Sequence, residues 1–187
     1  MQKTSKLLKD LKIHRKRKDE FFKTNSSSPI PPEERDNFTG LEYYSPNNDL
    51  RFVLELDELE DKEPIEVNDT AGNVRDMLIW GKFHFQFNGQ ECVLEAYKSR
   101  IGEDRLFIPY KDKTNDKESY GAGRYIDLYY GENQTDDGEW ILDFNYATLP
   151  WCAFNENYAC PFVPPANWLD VKIRAGEKNY KHSKNIK

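Results

Sequence analysis

Long apolar runs are absent from this sequence. No stretch approaches the roughly 18 residues that a membrane-spanning helix needs, and the mean hydropathy is −0.90. The first eleven residues lack the apolar core of a secretory signal, so a cytoplasmic protein with no membrane partner is expected. Cysteine is scarce, and three residues (Cys92, Cys152 and Cys160) are too few for a disulfide scaffold. Histidine is equally scarce. His84 and His182 show no zinc-ligand spacing with the cysteines, so no metal is expected. Against these absences stand four Trp, 11 Tyr and 11 Phe, 14% of the chain, which supply a core to a sequence only 37% hydrophobic. At 187 residues the chain suits one domain with short extensions.

Charge is unevenly spread. Residues 1–23 hold nine Lys/Arg against three acids, and residues 172–187 hold six against one. The middle, residues 24–171, has 12 bases and 29 acids, a net charge of −17. A body this acidic repels a phosphate backbone, which argues against a nucleic-acid partner. The alternative use of the basic helix is to dock on the acidic body.

Hydrophobic spacing predicts a helix over Ser5–Phe22, with Leu7, Leu8, Leu11, Phe21 and Phe22 as a thin stripe and Thr4 or Ser5 as its cap. Asn25-Ser-Ser-Ser-Pro29 breaks it, and Pro31-Pro32-Glu33-Glu34-Arg35 opens a short helical turn. The period then changes to two. Strands are expected at Arg51–Asp57, Met77–Phe87, Glu91–Tyr97, Arg105–Tyr110, Arg124–Tyr130, Trp140–Asn145 and Trp168–Ile173. Asn88-Gly89 between two alternating runs marks a type I′ hairpin. Turns are expected at Gly102, Gly121–Gly123 and Asp136-Asp137-Gly138. The fold class is therefore mainly β. It is a single antiparallel barrel or sandwich-like domain over residues 24–178, with a basic N-terminal helix over 1–23 and a basic, disordered tail over 179–187. A long Cys/Pro-rich loop, Ala147–Asn167, holds two cysteines and four prolines; ordered loops of this length are usually functional.

Two clusters carry the candidate chemistry. In the first, Lys117, Tyr120 and Arg124 bring an amine, a phenol and a guanidinium to one loop, a set suited to carboxylate or phosphate recognition, with Glu118 beside them as a further ligand-binding candidate. The competing reading is an internal ion pair of Arg124 with Glu118 or Asp143. Gly121 and Gly123 lack the third glycine and following helix of a dinucleotide fingerprint, and the sequence leaves any cofactor unknown. They suit a turn that needs positive φ. In the second cluster, Asp143 and Asn145, two apart on an expected strand, share a face and either form a polar site or anchor the long loop. Cys152 and Cys160, with seven residues between them, and Asn167 complete the set. Paired thiols packing as small hydrophobes is the first reading. A disulfide is disfavoured by the compartment, and a nucleophilic cysteine would need His84 as its base.

The run Leu106-Phe-Ile-Pro, then Lys117-Glu-Ser-Tyr-Gly-Ala-Gly-Arg-Tyr-Ile-Asp-Leu128, resembles the signature of a family of uncharacterised bacterial and archaeal proteins, domain of unknown function 1684. So do Asp143-Phe-Asn145, Cys152-Ala-Phe, Cys160-Pro, Pro164-Pro165, Asn167 and Ala175-Gly-Glu177. The opening pattern from Lys18-Asp-Glu-Phe-Phe22 to Gly40-Leu41 is similar as well. The family pattern often has Asn-Pro-Pro before its first cysteine, where this chain has Leu149-Pro150-Trp151, which weakens the case for a polar role at that position. The resemblance implies a compact β domain and no particular reaction. The expected function is binding of a small anionic or polar ligand between the 110–125 loop and the 143–167 segment. The alternatives are a hydrolase using Lys117, Glu118, Tyr120 or Cys152, and an interaction module working through the N-terminal helix. The sequence leaves the oligomeric state open.

Overall fold

A computed structural model describes residues 2–99 and 104–180, with side chains from Lys6 onward. Gly102 and most of the expected tail lie outside the described residues. The N-terminal helix α1 spans Gln2–Thr24. It starts before the caps expected at Thr4 or Ser5, since nothing from Gln2 to Thr4 interrupts helical backbone. Leu11 and Phe22 are buried, and Leu7 and Leu8 half-buried, so the thin stripe faces the body. A single turn, α2 (Pro32–Arg35), follows with Pro at its start and two acids in its first turn.

Seven strands follow: β1 (Arg51–Leu54), β2 (Asp57–Asn68), β3 (Val74–Phe87), β4 (Gln90–Ser99), β5 (Arg105–Tyr110), β6 (Arg124–Tyr129) and β7 (Trp140–Asp143). They form two antiparallel sheets, a β1–β7 ribbon and a five-stranded sheet in the order β2-β3-β4-β5-β6. The five-stranded sheet is open, with β2 and β6 at its edges, so the barrel alternative does not hold. Asn88 and Gly89 take φ of 52° and 74° between Phe87 and its partner Gln90, the two positive values a type I′ turn demands.

Three expectations change. The run Arg51–Asp57 divides between β1 and the start of β2, and β2 itself, Asp-Glu-Leu-Glu-Asp-Lys-Glu-Pro-Ile-Glu-Val-Asn, was not foreseen. As an edge strand it is mostly exposed, so it tolerates Pro64 and carries charge where a buried strand would carry alternating apolar residues. Trp168–Ile173 is not a strand. It keeps strand-like alternation, with Leu169, Val171 and Ile173 buried and Trp168, Asp170 and Lys172 exposed, but its backbone partners come from Lys111, Lys113 and side chains. The strand expected to run to Asn145 stops at Asp143, because Phe144–Tyr146 forms a 3₁₀ turn.

The larger core lies between the two sheets, where the Phe52 ring stands 4.7 Å from Phe85 and Phe144 lies 5.7 Å from Phe85. A register shift between Ile79 and Gly81 in β3 reverses which alternate residues face this core. Phe83 and Phe85 therefore join it, while Met77 joins Val67, Tyr97 and Phe107 in a separate cluster on the other side. A third cluster joins Phe22 of α1 to Ile30, Phe38, Leu149 and Phe154, so the helix packs on the Cys/Pro-rich stretch.

Candidate functional site

Arg124, expected to meet a ligand, is fully buried. Its Nη2 donates to Asp112 Oδ2 and to Ile173 O, both at 2.7 Å, and its Nη1 donates to the carbonyls of Ala175 and Glu177. Asp112 Oδ1 in turn accepts from the backbone N–H of Thr114 and Ile173. Arg124 and Asp112 thus hold the backbone of Ile173 and the carbonyls of Ala175 and Glu177, while Gly176 and Glu177 also bond the backbone of Tyr44 and Ala147. The partner is neither Glu118 nor Asp143. Gly123 has a φ of +104°, and a Cβ there would lie 2.7 Å from Tyr110 O, so the glycine serves the turn into β6.

Glu118 makes a two-point pair with Arg174, at 2.7 and 2.8 Å, and these bonds hold its carboxyl below the usual range. Lys117 is exposed on the same loop. Asp143 does not share a strand face with Asn145; it caps the 3₁₀ turn, its Oδ1 accepting from the Asn145 N–H and Nδ2. Asn145 then exchanges two 2.8 Å bonds with the backbone of Asn47. Asp143 also pairs with Arg51 at 3.5 Å. Asn167, fully buried, accepts from Glu95 N and donates to Glu95 O and Pro109 O. Its side-chain amide fills the place where β4 and β5 part, their paired register being limited to Tyr97 and Phe107. These groups hold backbone together, but Asp143 and Asn145 secure the 3₁₀ turn and Asn47 and not the long loop.

Cys152 and Cys160 lie together as free thiols. The Cys152 N–H donates to Cys160 Sγ at 3.2 Å, and the Tyr120 hydroxyl is 3.9 Å from Cys152 Sγ. The thiol hydrogen bond to Cys160, together with burial, pushes Cys152 up. The same bond, aided by the N–H groups of Cys152 and Trp151 and the charge of Arg75, lowers Cys160 against the opposing effect of burial. Burial and the neighbouring sulfur push Tyr120 up to about 12, so it stays a phenol. His84 is remote in role: it stands on β3 with its nitrogens 3.9 Å from Asp57 and Glu91 carboxylates.

Cys160 lies on the wall of a cavity of about 640 Å³ between the Thr148–Pro161 stretch and β3, β5 and β6. The alternate residues of these strands that turn away from the main core, among them Met77, Phe107, Tyr125 and Asp127, line it. Two edge-to-face pairs wall it, Phe107 with Tyr125 at 4.8 Å and Trp151 with Tyr158 at 5.1 Å. The turn Asp69–Asn73 fixes the far wall. Thr70 Oγ1 accepts from Cys160 N and donates to Tyr158 O, while Thr70 N donates to Cys160 O. Burial works to raise the Asp69 carboxyl, but bonds from Asn73, Ala71 and Arg75 outweigh it and hold it low. Arg75 pairs with Asp69 and donates to Ala159 O; Arg105 pairs with Asp127.

Of the nine residues singled out by sequence, only Cys160 lines this cavity. Arg75 sits outside the alternating run of β3 and gave no signal. Tyr125 and Asp127 were legible as the opposite phase of β6, and Trp151 and Tyr158 as aromatics of the Cys/Pro-rich stretch.

The basic helix meets the body through charge. Lys18 Nζ is 2.5 Å from Glu177 Oε1, and Glu177 Oε2 accepts from Leu149 N at 2.7 Å. Arg15 lies 4.4 Å over the Tyr43 ring and donates to Tyr44 O, and Asp19 accepts from Leu41 N. No helix among the described residues is long and apolar enough to cross a membrane.

Fold and cavity define a class: a mainly β domain of two antiparallel sheets, with a helix packed on the stretch that roofs an aromatic-walled cavity. The chain belongs to the family described as Protein of unknown function (DUF1684), whose model matches residues 36–178. The solution NMR structure of an uncharacterised protein of Haloarcula marismortui is similar, with 35% identity and a TM-score of 0.72, covering 95% of this chain and 96% of that one. No curated protein matches.

Proposed function

We propose that this protein binds a small, planar, polar molecule in the cavity beside Cys160. The observation that carries the reading is a cavity of about 640 Å³ flanked by two edge-to-face aromatic pairs. That volume falls within the range of roughly 300–1,000 Å³ typical of small-molecule sites. Its charges argue for a neutral ligand over an anion. Arg75 and Arg105 are each matched by a carboxylate, Asp69 behind the wall and Asp127 on it, and Asp76 is a second acid on the lining. A planar ring would lie against Trp151, with its polar edge toward the paired charges.

Saturation-transfer NMR with nicotinamide and adenosine as neutral probes, and benzoate and phenyl phosphate as anionic ones, tests this. The neutral probes should bind, and Trp151→Ala, at a half-exposed position, should weaken them about tenfold, roughly 1.4 kcal/mol. Preference for the anionic probes, or indifference to Trp151→Ala, would overturn the reading.

A further inference from the structure

The long stretch brings Cys152 and Cys160 together, Cys160 at the cavity wall, and ligand binding alone gives them no task. Cys160 Sγ accepts the Cys152 N–H at 3.2 Å and lines the cavity, although its residue is only 7% exposed. Cys152 is half-buried behind it, with the Tyr120 hydroxyl 3.9 Å from its sulfur. The backbone of Cys160 is fixed by Thr70 on both its N–H and C=O, so the sulfur is held at the wall by a hairpin turn from another part of the chain. Cys92, the third cysteine, is buried in the main core, and burial raises its thiol. The molecule thus holds one sulfur favoured as thiolate, one proton-bearing neighbour, and one inert thiol.

We propose that Cys160 and Cys152 form a peroxide-responsive dithiol, with Cys160 the sulfur oxidised and Cys152 the thiol that resolves it. The Cys160 thiolate attacks one oxygen of a hydroperoxide. The O–O bond breaks, the departing alkoxide or hydroxide takes a proton from water, and Cys160 becomes a sulfenic acid, oxidised by two electrons. Cys152 sulfur then attacks Cys160 sulfur. The S–S bond forms, the S–O bond breaks, and the hydroxide leaves as water with the Cys152 proton. The sum is two thiols and one hydroperoxide giving one disulfide, one alcohol or water, and one water. This goes beyond the binding reading and needs only the cavity as an entry path for a small oxidant.

The test uses reduced full-length protein exposed to hydrogen peroxide and read by intact mass and peptide mapping. The expected product has lost two hydrogens, links Cys152 to Cys160, and leaves Cys92 open to alkylation after denaturation. Cys160 should react at least roughly tenfold faster than Cys92, in keeping with its greater thiolate character. Because its ionisation is shifted down, the rate should persist as pH falls from the ordinary thiol value of about 8.5 towards neutrality. In Cys152→Ser the reaction should stop at a sulfenic acid on Cys160 that dimedone captures, and in Cys160→Ser, Cys152 should remain a thiol. Oxidation of Cys92 at a comparable rate, or no Cys152–Cys160 link in the wild-type protein, would overturn the proposal. The wild-type mapping stands even if a variant misfolds, and its outcome is independent of whether nicotinamide or adenosine binds.

Discussion

Asn167 makes three hydrogen bonds with one side chain, to Glu95 N, Glu95 O and Pro109 O, and so stands in for a peptide unit between two diverging strands. The geometry needs a donor facing the two carbonyls. Asn167→Asp would turn a carboxylate towards them, and the loss should reach about 3 kcal/mol in urea unfolding at neutral pH, the scale of an uncompensated buried charge. The introduced carboxyl would have a folded pKa above its unfolded value, so part of the stability should return as pH falls below that raised value. An effect independent of pH would contradict this account. Arg124 makes the parallel case. Arg124→Met leaves the Asp112 carboxylate buried without its partner and should cost about 3–5 kcal/mol, while Arg124→Met with Asp112→Leu should recover part of it.

Among the elements, α1, α2, the β3–β4 hairpin, β5, β6 and β7 were legible because each carries its own local pattern: a stripe, a proline at a helix start, Asn88-Gly89, or alternation. The edge strand β2 was not, since one partner and one solvent face leave Leu59, Ile65 and Val67 too thinly spaced to declare a period. Trp168–Ile173 misled for the opposite reason: its alternation is real, but its backbone is held by scattered bonds to Lys111 and Lys113 and, at Ile173, by the Arg124 and Asp112 side chains, which no local pattern shows. The candidate site suffered in the same way. Arg124, Asp143, Asn145 and Asn167, polar residues in the dense stretches, proved to be backbone anchors, while the cavity wall is assembled from opposite phases of strands and a distant turn. Helix α1 is tied to that wall through Lys18, Glu177 and Leu149. Lys18→Met should lower stability by about 3 kcal/mol, since it strands a buried carboxylate, and should speed amide hydrogen exchange at Leu149. Unchanged exchange there would separate the helix from the cavity.

On the scale of the whole molecule, a body of net charge −17 over residues 24–171 carries a basic helix whose Arg15 and Lys18 face inward onto Tyr43 and Glu177. One face of the five-stranded sheet builds the main core with the β1–β7 ribbon, and the other, roofed by the Cys/Pro-rich stretch, is left with a cavity. The division of labour follows: anchors on one side of the chain's polar residues, a candidate site on the other. Amide chemical-shift mapping of the full-length protein with adenosine and nicotinamide tests that division most directly. Shifts confined to Arg75, Asp127, Thr148, Trp151, Tyr158 and Cys160 are predicted. Shifts gathered instead on Lys117, Glu118 and Tyr120, with the cavity amides unmoved, would contradict it.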